Sequence, residues 1–270
     1  MSRIAATFEA LRATRRRALI PFIMGGDPSL DATESFLLRF ADAGADLLEI
    51  GVPFSDPIAD GPVNQRAAQR ALGSGTGLRD ILARVTRLRP RVRQPVVLLT
   101  YYNPVLQYGL DAFCADASAA GVDGVVIPDL PPEEGDPLRA VAAPHGLDTI
   151  FLAAPTSTDE RLARVAAGSR GFIYCVSLTG VTGVRTSVAG DVGALVGRLR
   201  RQTALPICVG FGVSTPDHAR QVASVADGVI VGSAIVAIVE REGAAAGPSL
   251  AGFVRGLRAG VDAAVEAPAS

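Results

Sequence analysis

Apolar residues along the chain gather into eight short continuous runs: "ALIPFIMG" (18–25), "DLLEIGV" (46–52), "PVVLLTY" (95–101), "DGVVIPD" (123–129), "LDTIFLA" (147–153), "GFIYCVS" (171–177), "LPICVGF" (205–211) and "DGVIVGS" (227–233). They do not alternate apolar with polar positions, which is the reading of parallel strands buried on both faces. Between them apolar residues recur at helical spacing, as in "LDATESFLLRFADAGA", "LRDILARVTRLRP", "LDAFCADASAAG" and "TDERLARVAAGS". Ser, Thr and Asp stand where helices would start, in "PSLDATES", "PTSTDE" and "STPDHA", as N-caps require. Eight strands alternating with helices over about 230 residues predict a (β/α)8 TIM barrel. The opening "MSRIAATFEALRATRRRALIPF" adds an N-terminal amphipathic helix with a basic end. A doubly wound open sheet would place a Gly-rich dinucleotide turn after its first strand, and "IMGGDPSL" lacks it. No linker or charge block interrupts the pattern, so residues 1–270 are expected to form one barrel domain. Only the Ala-rich stretch after Gly243 stands outside it.

Two loops exceed what connection requires. "GVPFSDPIADGPVNQ" after strand two is rich in Pro, and "LTGVTGVRTSVAGD" after strand six is rich in Gly and Thr. Barrel active sites are built from loops at this C-terminal face.

Composition narrows the chemistry. Of 270 residues, 49% are hydrophobic and 20% charged, with net charge −1, so no basic footprint for nucleic acid is present. No apolar run reaches the roughly 18 residues of a membrane span, and the first residues lack the order of a signal peptide. Cys114, Cys175 and Cys208 are odd in number and lie in apolar surroundings, as buried free thiols in a reducing compartment would. A cytoplasmic location is therefore expected. All 26 cationic side chains are Arg, and without a Lys amine the chain forms no Schiff base. Its two His, His145 and His218, stand far apart without ligands at zinc spacing. No metal or cofactor is expected in this chain.

The chemistry left is carboxylate chemistry. Strand alternation sends Leu47, Glu49 and Gly51 to one face and Leu48 and Ile50 to the other. With Leu48 and Ile50 against the helices, Glu49 points into the barrel near its top. Burial raises a carboxyl pKa, which equips Glu49 to give and take a proton near neutrality. Asp60 stands before a helix start, so it reads either as a second catalytic carboxylate or as an N-cap. Asp56 in "SDP" fits a turn residue equally well. "GVTGVRTS" (180–187), "VGFGVST" (209–215) and "VGSAIV" (231–236) follow strands six to eight, where glycines let backbone N–H groups approach an anion. These late loops commonly hold a phosphate, here with Ser233 and backbone dipoles in place of Lys. Tyr174 reads as core unless it faces the barrel mouth.

"LEIGVPFSDPIADGP", "TYYNP", "GVDGVVIPDLPPEE", "SLTGVTG" and "VGFGVS", in this order and nearly spanning the chain, resemble the tryptophan synthase alpha chain family. The resemblance implies a lyase that cleaves indole-3-glycerol phosphate to indole and glyceraldehyde 3-phosphate. It also implies a beta chain that carries pyridoxal phosphate, in an alpha2beta2 heterotetramer. Carried over by position, Glu49 is the acid/base and Asp60 faces the indole nitrogen. Tyr174 and Thr182 lie near the substrate, while Phe22, Leu99, Leu152 and Phe211 line the indole pocket. Gly183, Gly212, Gly232 and Ser233 match the phosphate cradle. Pro53 and Asp56, on the Pro-stiffened loop that carries Asp60, are the expected beta-chain contacts. Met24-Gly25 departs from the Thr-Ala common in the family. Two other readings stay open: another phosphate-binding barrel enzyme of aromatic amino-acid biosynthesis, and a non-catalytic activator of the beta chain.

Overall fold

The continuous apolar runs become strands, and each strand is buried along both faces. The computed structural model describes residues 1–176, 188–210 and 212–266. Its strands are β1 (Ala18–Met24), β2 (Leu48–Gly51), β3 (Val96–Leu99), β4 (Gly124–Val126), β5 (Asp148–Ile150), β6 (Leu152–Ala153), β7 (Ile173–Val176), β8 (Ile207–Gly210) and β9 (Gly228–Val231). All pair in parallel, in the order β5-β4-β3-β2-β1-β9-β8-β7-β6. β5 and β6 are one stave, interrupted at Phe151, where a single strand over 147–153 was expected. Its first half pairs with β4 and its second with β7, so the stave changes partner and closes the barrel. At the change Phe151 donates its N–H to Ser169 Oγ at 3.3 Å instead of to a strand. Eight staves result, as the sequence predicts.

The helices are α1 (Arg3–Ala13), α2 (Leu30–Asp42), α3 (Pro62–Gly73), α4 (Leu78–Leu88), α5 (Tyr102–Tyr108), α6 (Leu110–Ala120), α7 (Asp136–Ala142), α8 (Asp159–Gly168), α9 (Val188–Arg200), α10 (Pro216–Ala223), α11 (Ser233–Glu242) and α12 (Gly247–Glu266). Ser29, Thr158 and Thr215 cap α2, α8 and α10 through their hydroxyls, as expected. The Ala-rich stretch is no appendage: in α12, Leu250, Val254, Leu257 and Val261 are buried at helical spacing.

The alternation read for strand two holds. Leu48 and Ile50 join the core between staves and helices, with Leu37, Leu82 and Leu98. Leu47 joins the barrel interior, with Ile20, Val97, Val126 and Ile150. α1 plugs the N-terminal end of this interior through Ile4, Phe8 and Leu11, with Phe8 and Phe172 rings 6.0 Å apart. That end is sealed, so a substrate can enter only from the other.

The strand starts share one device. Asp46, Asp123 and Asp227 accept the N–H groups of Leu19, Val96 and Ile207 at 2.8 Å each. Each carboxylate thus satisfies a backbone donor of a neighbouring stave where the sheet ladder begins. The Met24-Gly25 departure also has a packing counterpart. A Cβ at Gly25 would lie 2.3 Å from Ile81 Cδ1, so Ile81 fills the space an Ala methyl would need.

Candidate active site

At the open end the inward positions become small. Gly51, Gly210 and Gly232 replace large side chains at the strand ends, and a Cβ at Gly210 would sit 2.6 Å from the Tyr174 hydroxyl. Above them lies a cavity of about 500 Å³. Phe22, Leu99, Leu152 and Tyr174 form its apolar wall, Asp60 lies on one side, and Gly212, Gly232 and Ser233 lie on another. Eight of the residues singled out in the sequence therefore converge on one space. Thr182, Gly183 and Phe211 lie outside the described residues.

Glu49 sits one inward step below Gly51, in register with Phe22 and Val97. It is 1% exposed, and neither carboxyl oxygen has a hydrogen-bond partner among the described residues. Burial, helped by the charge of Asp60, pushes its pKa from 4.5 up to about 8. A buried carboxyl without partners is uncommon enough to need a reason. Here the reason is that at neutral pH it stays protonated.

Asp60 is not the helix cap. Gly61 holds that position, and α3 begins at Pro62 without a side-chain cap. Instead Asp60 accepts a hydrogen bond from Tyr101 Oη at 2.9 Å. Tyr101 Oη in turn accepts the Ala59 N–H at 3.0 Å, and Gln65 Nε2 donates to the Asp60 carbonyl at 2.8 Å. Burial raises the Asp60 pKa, while hydrogen bonds from Tyr101 and Asn64 lower it. The two carboxyls thus differ in kind: Glu49 has no hydrogen-bond partner among the described residues, whereas Asp60 accepts one from Tyr101, and burial raises the pKa of both. Such a pair divides into a proton donor and an anionic partner.

Tyr101 and Asn64 carry no role in the sequence reading, although "TYYNP" was noted as a motif. Tyr101 is 2% exposed and stacks near Phe54 with ring centroids 5.2 Å apart, so its hydroxyl is held on the Asp60 loop. Replacing Tyr101 with Phe should lower kcat about tenfold by loosening Asp60. An unchanged kcat and pH profile in that variant would show that the bond is structural only.

The Glu49 pKa also has a stability consequence. The folded chain retains a proton that the unfolded chain releases near pH 4.5, so stability falls as pH rises from about 5 to 8. Between pH 5 and 7.5 the parent should lose about 2–3 kcal/mol that a Glu49→Gln variant keeps. Urea melts across this range would check it.

The other side of the cavity is shaped by helix geometry. Gly212 has φ +68°, a left-handed conformation that favours glycine. Gly232 caps α11 without a side-chain bond, which leaves first-turn N–H groups free for an anion beside Ser233. Pro53 is buried, and Asp56 is exposed on the rim loop. Neither lines the cavity. His145 is exposed and His218 half-buried, and all three cysteines are buried free thiols.

The family model of the tryptophan synthase alpha chain matches residues 8–254. The chain is 54% identical over 259 residues to the tryptophan synthase alpha chain of Geobacter sulfurreducens, covering 96% of this chain and 98% of that one. It is 52% identical to that of Geotalea uraniireducens, over 97% and 99% of the two chains. Among solved structures, tryptophan synthase subunit alpha from Legionella pneumophila superposes with a TM-score of 0.91 at 39% identity, over 97% and 99% of the chains. A tryptophan synthase chain from M. tuberculosis in an aminoacrylate-bound form gives 0.88 at 41% identity, over 97% and 100%. No described helix is long and apolar enough to cross a membrane. With a closed barrel, Asp60 at its mouth, Glu49 buried one step below and relatives matched along nearly their whole length, the chain belongs to the tryptophan synthase alpha chain family, the lyases that cleave indole-3-glycerol phosphate in tryptophan biosynthesis and pair with a beta chain.

Proposed function

We propose that Glu49 is the proton donor and acceptor of the cleavage and Asp60 the anion that faces the indole nitrogen. The observation that carries this reading is the buried Glu49 carboxyl, without a hydrogen-bond partner among the described residues and protonated at neutral pH. The neutral acid delivers its proton to C3 of the indole ring and becomes a carboxylate. The ring is then a cationic indolenine, and the charge at its N–H is stabilised by Asp60. As the carbon–carbon bond breaks, its electron pair returns to the ring and restores indole. The glycerol hydroxyl gives its proton to the Glu49 carboxylate, leaving an aldehyde and a regenerated acid. Glu49 thus ends as it began.

In this reading Phe22, Leu99, Leu152 and Tyr174 hold the indole ring, and Gly212, Gly232 and Ser233 grip the phosphate. Thr182, Gly183 and Phe211 complete the site on resemblance alone. Proton transfer of this kind supplies about 10² to 10⁴ in rate, and the phosphate grip adds to it by fixing the ring against Glu49. The chain acts as one barrel domain in the cytoplasm and needs no cofactor of its own. Pyridoxal phosphate belongs to the beta chain, within an alpha2beta2 assembly.

The beta chain presses on the Asp60 loop. Ile58 in that loop is 82% exposed, and Leu106 on the neighbouring α5 is 48% exposed, as suits an apolar contact. The isolated chain is therefore a poor catalyst, and its partner raises kcat by ordering the loop. Titrating the cognate beta chain into a steady-state indole-release assay tests both parts. Indole should form from indole-3-glycerol phosphate, faster with the partner, and Asp56→Ala or Pro53→Ala should blunt the activation more than the basal rate. Absence of indole at saturating partner would refute the activity. Equal activation of parent and variants would refute the contact.

A further inference from the structure

A second cavity, of about 360 Å³, opens at the sealed end of the barrel, away from the catalytic mouth, and is lined by Arg12, Arg15, Arg17, Ala223, Ser224 and Ala264. Arg12 lies in the last turn of α1, Arg15 and Arg17 in the link from α1 to β1, Ser224 at the end of α10 and Ala264 in α12. Three arginines therefore border one hollow, Arg12 and Arg15 exposed and Arg17 half-buried.

Their partners do not account for them. Among the described residues no carboxylate lies within ion-pair distance of Arg12 or Arg15, whereas neighbouring Arg16 reaches Asp262 at 3.5 Å. Arg17 Nη1 stands 3.6 Å from Asp227, but Asp227 is also held by Arg200 and by the Ile207 N–H. The buried Arg17 Nε has no partner. Asp262 is likewise bonded to Arg258 at 2.7 Å. Among the described residues, the carboxylates nearest the hollow, Asp227 and Asp262, are thus shared with other cations.

The backbone adds a second observation. Arg15 has φ +55° and is the one non-glycine residue with a left-handed backbone among those described. It stands at the turn that ends α1, where the Arg16 N–H bonds the Leu11 carbonyl at 2.8 Å. That position favours glycine. An arginine there strains the backbone beside the cavity that it lines, the kind of local cost found where a side chain serves binding.

We propose that this cavity is a binding site for a small, multiply charged phosphate-bearing anion. Arginine suits phosphate because its planar N–H fork bonds two oxygens at once. The Ser224 hydroxyl can donate once more, and the Ala223 and Ala264 methyls offer an apolar wall to whatever carries the phosphate. A hollow of this size bordered by three elements suits a small anion better than a nucleic acid or membrane, which would need a longer basic strip.

Alanine-methyl NMR with inorganic pyrophosphate tests the site and separates it from the catalytic cavity, which Ala59 lines. Pyrophosphate should shift the Ala223 and Ala264 methyls saturably. In Arg15→Gly, where the backbone favours glycine and the fold is safe, the midpoint should rise at least about tenfold. Arg12→Gln should act in the same direction, and neither variant should move the Ala59 response or the basal indole-forming rate. Silent Ala223 and Ala264 methyls, or equal midpoints in parent and both variants, would overturn the proposal. So would a short RNA that shifts these methyls at lower concentration than pyrophosphate.

Discussion

Glu49→Gln should bind indole-3-glycerol phosphate like the parent and release indole at least about 10²-fold more slowly. Gln keeps the size of the side chain and has no proton to give. Glu49 is 1% exposed, so bulk solvent has little access to the position of the lost acid. In the proposed reading Phe22, Leu99 and Leu152 hold the ring whether or not the acid is present, so the loss should fall on kcat. In the parent, kcat should decline as pH rises through about 8, when the donor ionises. The variant should show no such limb. Full turnover in Glu49→Gln would place the acid elsewhere.

Ser233→Asp should produce the second large effect, this time in KM. The new carboxylate would stand at the start of α11, where the helix offers its first-turn N–H groups to the phosphate. It would occupy those donors and repel the substrate. Both the bound substrate and the transition state keep the phosphate, so binding weakens uniformly and KM rises by about 10² or more with a smaller change in kcat. Isothermal titration with a phosphate-bearing substrate analogue would check this. Equal affinity in parent and variant would mean that the phosphate sits elsewhere on the barrel.

Much of this arrangement was legible in the sequence because burial writes itself into composition. A Glu within "DLLEIGV" has only two faces to choose between, and Leu48 and Ile50 settle which. Eight apolar runs give eight staves for the same reason. The split of the fifth stave was not legible, since it depends on a partner change at Phe151 and a bond from a Ser169 hydroxyl distant in sequence. Asp60 could not be separated from a helix cap by spacing, because the distinction rests on Tyr101, forty-one positions away. Tyr101 went unassigned for that reason: its role exists only once strands two and three lie side by side. The C-terminal helix was hidden by its Ala content, which blurs the apolar stripe that Leu250, Val254, Leu257 and Val261 draw.

The protonation state of Glu49 is the point on which the rest depends. It is measured most directly by carbon-13 NMR of the side-chain carboxyl in protein labelled at glutamate, with Glu49→Gln used to assign the signal. The carboxyl is expected to remain protonated at pH 7 and to titrate near 8. A signal that titrates near 4.5, as an exposed glutamate would, contradicts a neutral acid buried within the barrel.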